Sequence, residues 1–365
     1  MHKILIDDKI PFIRGVFEPL AEVKYLNGSD INTENLRDID ALIVRTRTRC
    51  DKTLLENSAV KFIATATIGF DHIDTDFCHE RGIFWTNAPG CNAASVQQYI
   101  ASALFFLQKK KKINLSKTAI GVVGVGNVGK LVVEFCENIG MRVLQNDPPR
   151  QAAEKNNAFV SLAEIAETCD IISFHTPLNA NTFHLADKKF FATLKKKPLI
   201  INTARGEIIN TELIKNARKQ NLISGIVIDC WENEPNIDTE LLSICDIATP
   251  HIAGYSADGK ANATMACVRY ISSRLGLGID DWSVSEIPPP AQAMVRHCGV
   301  DTLQSAILHS YNIEEDFLKL KNNPDDFEFF RNYYPLRREF PAYFIDENDE
   351  LLEKIGFSNP KNNPQ

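Results

Sequence analysis

Ala119-Ile120-Gly121-Val122-Val123-Gly124-Val125-Gly126-Asn127-Val128-Gly129 is the stretch that decides the fold. Ala119 to Gly124 is a β-branched run that reads as a buried strand. The pattern then changes to that of a helix over Val128 to Asn138, and back to a strand over Met141 to Gln145. Gly124 and Gly126 permit a tight turn and let the backbone approach a pyrophosphate. Gly129 permits close packing of helix on strand, while the residues at the helix start, Asn127 and Val128, bring amide donors and positive potential. Asp147 follows at the end of the second strand, 18 positions beyond Gly129. A carboxylate there accepts hydrogen bonds from both adenosine ribose hydroxyls and repels a 2′-phosphate, which selects NAD over NADP. The competing reading is a tight strand-to-helix turn in an α/β protein that binds no nucleotide.

Outward from this unit the alternation continues on both sides. Upstream, Lys3 to Ile6, Ala41 to Arg45, Lys61 to Thr65 and Ile83 to Thr86 read as strands, and Ser95 to Lys112 as one long helix. Downstream, strands are expected at Ile171 to Phe174, Leu199 to Asn202, Ile223 to Ile228 and Asp246 to Thr249, with a helix from Ser256 to Asp281. Such alternation predicts parallel sheets covered by helices, an α/β fold with two Rossmann-like doubly wound units. Pro288-Pro289-Pro290 interrupts the pattern and marks a boundary. Beyond it, helical segments (Asp301 to His309, Ile313 to Lys319) mix with an aromatic strand (Tyr343 to Ile345) in a small α+β appendage, and Ser358 to Gln365 reads as a frayed polar tail.

The whole chain has 365 residues, 44% hydrophobic and 24% charged, a length for two or three domains. A net charge of -7 argues against a nucleic-acid-binding surface. Lys109 to Lys112 read as a solvated helix end that complements the dipole. No apolar run is long enough for a bilayer and the N-terminus lacks the features of a secretory signal, so no membrane partner and a cytoplasmic location are expected. The nine cysteines have no C-x-x-C spacing and the eight histidines no H-E-x-x-H, which predicts reduced thiols and no metal.

Three further residues stand at strand ends, where ligands gather in open α/β sheets. Arg205 lies in Asn202-Thr203-Ala204-Arg205-Gly206, Glu234 in Asp229-Cys230-Trp231-Glu232-Asn233-Glu234-Pro235, and His251 in Thr249-Pro250-His251-Ile252-Ala253-Gly254. Singly, each has a structural explanation. Together, after a dinucleotide fingerprint, they supply what hydride transfer from an alcohol carbon requires. A histidine takes the hydroxyl proton, a carboxylate fixes its tautomer and favours its protonated form, and an arginine holds a substrate carboxylate through paired bonds.

Thr118 to Asn138, Ile200 to Ile209, Gly225 to Pro235 and Ala248 to Gly254 resemble the D-isomer-specific 2-hydroxyacid dehydrogenase family, with likeness from the first residue to about residue 285. The resemblance implies a cofactor domain (95–255) inserted into a discontinuous substrate domain (1–94 and 256–285), with catalysis at a cleft between them. It maps the catalytic roles onto Arg205, Glu234 and His251, and implies that Asp229, Thr176, Thr203, Ala204 and Gly254 border NAD. Thr65 to Asp74, Ala88 to Ala93, Asp147 to Pro149 and Pro250 to Tyr255 are similar to the branch that oxidises 4-phospho-D-erythronate on the route to pyridoxal 5′-phosphate. That likeness implies a C-terminal dimerisation domain (286–365), hence a homodimer. It also implies a small phosphorylated hydroxy-acid substrate touched by Thr46, Thr67 and Tyr255, and a possible 2-oxo acid co-substrate that reoxidises the cofactor in place. Arg45, Arg47 and Arg49 would share one face if their strand persists, and Arg45 is the expected holder of the phosphate. Arg337-Arg338 is a candidate to reach the partner's site. Ile68 and Phe70 are bulkier than the likeness leads one to expect. The alternatives are a sister dehydrogenase acting on 3-phosphoglycerate, glycerate or lactate, and an NAD-sensing binding protein.

Overall fold

A computed structural model describes residues 1–359 apart from 157, 297, 298, 300, 301 and 347. Most of the tail expected to fray, from residue 360 on, lies outside the described residues. The chain divides into two compact units, Met1–Asn92 with Ser256–Pro288, and Ala93–Tyr255 with Pro289–Gln365.

The first unit is built on five parallel strands, β1 (Lys3–Asp7), β2 (Glu22–Leu26), β3 (Ala41–Val44), β4 (Phe62–Thr65) and β5 (Phe84–Thr86), in the order β2-β1-β3-β4-β5. The inner strands are apolar without alternation because both sheet faces are covered. The helix Ala257–Leu275 lays Cys267, Val268 and Ile271 on Ile4, Ile6, Ile43 and Ala64. The Ser256 hydroxyl caps it by accepting from the Gly259 amide, and Gly276 ends it at φ +66°, short of the expected Asp281. Strand β2 has no counterpart in the sequence reading, since it is an edge strand whose Glu22 and Lys24 face solvent. β3 ends at Val44, and the Thr48 amide turns back to donate to the Arg45 carbonyl at 3.2 Å. The strand therefore does not persist, and Arg45, Arg47 and Arg49 do not share a strand face.

The second unit carries six parallel strands, β6 (Ala119–Val123), β7 (Arg142–Asn146), β8 (Ile171–Phe174), β9 (Leu199–Asn202), β10 (Gly225–Ile228) and β11 (Ile247–Ala248), in the order β11-β10-β9-β8-β6-β7. Strand order reverses between β6 and β8, and at such a switch point an open parallel sheet leaves a crevice at the strands' carboxyl ends. The helices Ala93–Lys111 and Asn127–Asn138 pack together beside this sheet. Lys111 is not simply solvated at the end of its helix. Its ammonium donates to the Ser224 carbonyl at 2.9 Å and pairs with Asp246 at 2.8 Å.

Residues 289–365 belong to this second unit. They form helices Thr302–Ser310, Ile313–Asn322, Phe327–Asn332 and Glu350–Lys354 and a short parallel pair, β12 (Met294–Val295) with β13 (Phe344–Ile345). Among the described residues, no helix is long and apolar enough to cross a membrane.

Candidate active site

The fingerprint turn follows β6 directly. Gly124 adopts φ +87°, and a Cβ there would lie 2.8 Å from the His175 carbonyl carbon and the Thr176 nitrogen. A Cβ at Gly129 would lie 2.0 Å from the Gly124 carbonyl oxygen, so only glycine lets the helix begin this close to the turn. At Gly126 an added Cβ would meet nothing within 4 Å, which leaves that backbone open to approach beside the amides of Asn127 and Val128. Asp147 follows β7. One carboxylate oxygen accepts from the Val125 amide at 2.8 Å and the other from the Arg150 amide at 3.0 Å, so it ties the fingerprint turn to the end of the second strand.

His175 and Thr176 follow β8. The His175 ring bonds the Ser173 hydroxyl at 2.8 Å through Nε2 and the Thr203 hydroxyl at 3.2 Å through Nδ1, and burial pushes its pKa down to about 3. The Thr176 hydroxyl oxygen is buried with no hydrogen-bond partner among the described residues. An open glycine backbone, a helix start and an orphaned hydroxyl at one switch point fit a dinucleotide pyrophosphate, and the Asp147 carboxylate at the end of the second strand fits an adenosine ribose.

After β9 comes the arginine loop. The Asn202 side chain accepts from the Ala204 amide at 3.1 Å and donates to the Arg205 carbonyl at 2.8 Å, which fixes Thr203, Ala204 and Arg205 as a tight turn. Gly206 lets this loop press on the next, because a Cβ there would lie 1.9 Å from the Trp231 carbonyl carbon.

After β10 comes Asp229, 1% exposed, whose carboxylate accepts from the Thr249 hydroxyl (2.6 Å) and from the amides of Ile252 (2.8 Å) and Ala253 (2.9 Å). Burial pushes its carboxyl above the usual range, and the His251 charge, the Thr249 hydroxyl and the two amides offset only part of that. Its visible work is to shape the loop that follows β11. His251 sits in that loop at φ +56°, uncommon for a residue with a side chain, and its own amide donates to the Asp229 carbonyl at 2.9 Å. Gly254 and Tyr255 complete the loop.

The loops after β10 and β11 bring the predicted pair together. His251 Nδ1 lies 2.8 and 3.0 Å from the two Glu234 oxygens. A carboxylate only accepts, so Nδ1 carries the proton and the Nε2 lone pair is left to act as a base. Glu234 is itself pinned by the Trp231 amide at 2.9 Å. Burial opposes its charge, yet hydrogen bonding to His251, the His251 charge, the Trp231 amide and Arg331 outweigh that and hold its carboxyl below the usual range. Cys230, Glu234 and His251 also offer three ligand atoms within 4.8 Å of one another. The charges of Arg205 and Arg331 reach the same thiol, and burial pushes that thiol well above its ordinary pKa, a setting unsuited to a cation.

Sequence reasoning missed Arg331, on the helix Phe327–Asn332. Its Nη1 lies 3.5 Å from Glu234 Oε2, and its Nε donates to the Tyr255 hydroxyl at 3.3 Å. Of the two arginines it singled out in that region, Arg337 does something else. Arg337 is 9% exposed and donates to the carbonyls of Ile252 (3.2 Å), Ala253 (2.5 Å), Tyr255 (3.1 Å) and Ser95 (3.1 Å). A guanidinium committed to four carbonyls of its own chain is a buried strut and cannot reach a partner's site.

Of the substrate residues expected in the first unit, Arg45 meets the buried Asp7 through Nε and Nη2, both at 3.1 Å. The Thr67 hydroxyl lies 2.7 Å from the Thr65 hydroxyl and donates to the Gly69 carbonyl at 2.8 Å, while Thr46 lies in the turn after β3. Phe70 is 43% exposed and its ring packs on Trp85 at 4.9 Å. Lys260, another residue missed in the sequence, has its ammonium pushed down to about 8 by burial and by the charge of Arg45.

Known proteins match the fold and its dinucleotide-binding unit. Residues 93–253 match the D-isomer specific 2-hydroxyacid dehydrogenase NAD-binding domain. An erythronate-4-phosphate dehydrogenase of Bacteroides fragilis is 51% identical, over 94% of this chain and 99% of that protein. One of Porphyromonas gingivalis is 39% identical over 97% and 99%. Among solved structures, a cofactor (NAD+)-bound 3-phosphoglycerate dehydrogenase of Entamoeba histolytica superimposes with a TM-score of 0.65 at 28% identity, covering 79% of this chain and 99% of that one.

Proposed function

The chain belongs to the erythronate-4-phosphate dehydrogenase family within the D-isomer specific 2-hydroxyacid dehydrogenases, and from that premise we propose that it oxidises 4-phospho-D-erythronate to 2-oxo-3-hydroxy-4-phosphobutanoate with NAD, a step towards pyridoxal 5′-phosphate. The observation that carries this reading is the carboxylate-held His251, in a loop at the same carboxyl end of the parallel strands as the dinucleotide fingerprint.

NAD held here would supply the acceptor for the hydride that leaves the substrate's hydroxyl-bearing carbon. Gly124, Gly126, Asn127, Val128 and Gly129 would hold its pyrophosphate and Asp147 its ribose, with Thr176, Thr203, Ala204, Asp229 and Gly254 lining the rest. His251 Nε2 takes the hydroxyl proton as the carbon–hydrogen bond breaks. Glu234 stabilises the imidazolium so formed, and general base help of this kind contributes about 10²- to 10⁴-fold in rate. Arg205 holds the substrate carboxylate and polarises the oxygen beside it. Thr46, Thr67 and Tyr255 complete the substrate contacts. Arg45 and Lys260 place two cations in one field, a charge suited to a phosphate dianion, and Asp7 holds the fork of Arg45 in one orientation.

A homodimer is part of the same reading. On the C-terminal segment Phe329 and Tyr333 are 57% and 73% exposed with ring centroids 5.0 Å apart, an aromatic face of the kind a second copy covers.

The test is to incubate the pure protein with NAD, 4-phospho-D-erythronate and 2-oxoglutarate, and to trap the 2-oxo product with 3-phosphoglycerate run alongside. The 2-oxo acid is included because a cofactor reoxidised in place leaves no accumulating NADH. Product from the erythronate ester alone, lost in His251→Asn, is the expected result. Product from 3-phosphoglycerate alone would move the enzyme to a sister reaction, and product from neither would restore the NAD-sensing reading.

A further inference from the structure

The Glu234–His251 pair is not held by the nucleotide fold alone. Two arginines from residues 289–365 converge on the loop that carries His251. Arg337 binds the loop's backbone through the carbonyls of Ile252, Ala253 and Tyr255. Arg331 addresses the side chains, with Nη1 at 3.5 Å from Glu234 Oε2 and Nε donating to Tyr255 Oη at 3.3 Å. Arg331 is only 22% exposed, so its charge is poorly screened, and Glu234 is 17% exposed. The Tyr255 ring is backed in turn by Tyr334 at 6.2 Å, and the Tyr334 hydroxyl donates to Asp316 at 2.8 Å.

We propose that Arg331 is a positioning residue of the acid–base pair: it fixes Glu234 and Tyr255 in one orientation, and its charge sets the pH range in which His251 accepts a proton. The inference rests on the reading of Glu234–His251 as the acid–base pair of a dehydrogenase.

The sign follows from the arrangement. Glu234 is shared between His251 and Arg331, and a fixed cation beside the pair disfavours the imidazolium. The other charged and titratable groups facing the pair are Asp229 and Cys230 after β10, Arg205 after β9 and Tyr255 after β11. Taking the cation away leaves Glu234 wholly to His251, so the imidazolium gains stability and the base form appears only at higher pH. With the Glu234 carboxylate lying between the two cations and offsetting much of their repulsion, the expected change is on the order of one pH unit.

The experiment compares Arg331→Gln and Arg331→Lys with the unaltered full-length protein by three measurements. These are the pH dependence of kcat/KM for hydroxy-acid oxidation, the NMR titration of the His251 ring in substrate-free protein (assigned by its loss in His251→Asn), and thermal unfolding. In Arg331→Gln the acidic limb and the His251 midpoint are both expected to rise by about one unit. In Arg331→Lys the charge stays, so the limb stays within about 0.3 units, while kcat falls several-fold because the Tyr255 hold is lost. A folded Arg331→Gln protein with limb and midpoint unmoved would overturn the proposal. Should Arg331→Gln not fold, Arg331→Lys decides, since an unchanged kcat removes the positioning role. If the unaltered protein oxidises no hydroxy acid, the dehydrogenase reading fails by itself, and the NMR midpoint still reports on Arg331.

Discussion

Replacing Glu234 by Gln keeps the side chain's shape and removes the charge that faces His251 Nδ1–H at 2.8 Å. An amide oxygen still fixes the tautomer, but the imidazolium loses its counter-ion, so the acidic limb of kcat/KM is expected at lower pH and the rate at pH 7 below that of the native enzyme. His251→Asn removes the base itself and is expected to cost about 10²- to 10⁴-fold in kcat. A steady-state pH series on both variants checks the two directions. At the cofactor end, Asp147→Ser keeps a helix cap but deletes the repulsion of a 2′-phosphate. The ratio of kcat/KM for NAD to that for NADP is expected to fall at least tenfold. In the first unit, Lys260→Met removes one of the two cations assigned to the phosphate. It is expected to raise KM for 4-phospho-D-erythronate about tenfold or more while leaving KM for unphosphorylated D-erythronate within about twofold, measured side by side. Equal effects on both substrates would make Lys260 structural.

Among the elements, the helix Ala93–Lys111 shows why a fold can be read from sequence while its interior wiring cannot. Its length and helical character follow from an uninterrupted run rich in Ala, Leu and Phe. Its polar residues Ser95, Gln98, Tyr99 and Ser102 have helical spacing and look like a solvated stripe, yet all four are fully buried. Their partners are distant in sequence: Ala253 and Arg337 for Ser95, Arg337 and Arg338 for Gln98, Thr249 for Tyr99, Tyr311 for Ser102. The inner sheet strands were legible because both faces are covered and most of their positions are apolar. The glycine turn was legible because each glycine answers a steric demand. Edge strand β2 was not, since solvent tolerates Glu22 and Lys24 there. Arg331 and Lys260 were not, because an arginine or lysine on a helix is usually solvated and only the tertiary fold buries these. The turn after β8 adds a pH-dependent element. His175 in the folded protein resists protonation down to about 3, whereas an unfolded chain binds the proton near 6.5. Its folded pKa is depressed, so its contribution is fully present above pH 6.5 and is lost as pH falls towards 3. His175→Asn is therefore expected to be less stable than the native protein at pH 7.5 and to lose less stability between pH 6.5 and 4, read from urea unfolding midpoints across that range.

At the scale of the whole molecule, residues 289–365 and the dinucleotide fold are one compact unit, and this bears on what the C-terminal segment is for. A segment used only to dimerise could be removed to leave a working monomer. Here its removal would strip Arg337 from four carbonyls, three of them (Ile252, Ala253 and Tyr255) in the loop that carries His251. It would leave the Ser102 hydroxyl without the Tyr311 carbonyl, and it would uncover the apolar side of Ala93–Lys111 against which Ala306, Ile307, Ile313 and Phe317 are buried. Each buried polar group left unpaired costs about 1–3 kcal/mol, and each large apolar side chain brought into water about as much again. Several such losses together are comparable with the whole stability of a domain, about 5–15 kcal/mol. A chain ending at Pro288 is therefore expected to be poorly folded and to bind NAD at least tenfold more weakly, as followed by circular dichroism and calorimetric titration. Charge substitutions confined to the exposed face, Phe329→Glu with Tyr333→Glu, are expected to shift the sedimenting species from dimer to monomer while leaving NAD affinity within about twofold. If the shortened chain instead folds and binds NAD as the full chain does, the C-terminal segment is a separable assembly module, and the hold of Arg337 on the His251 loop is dispensable.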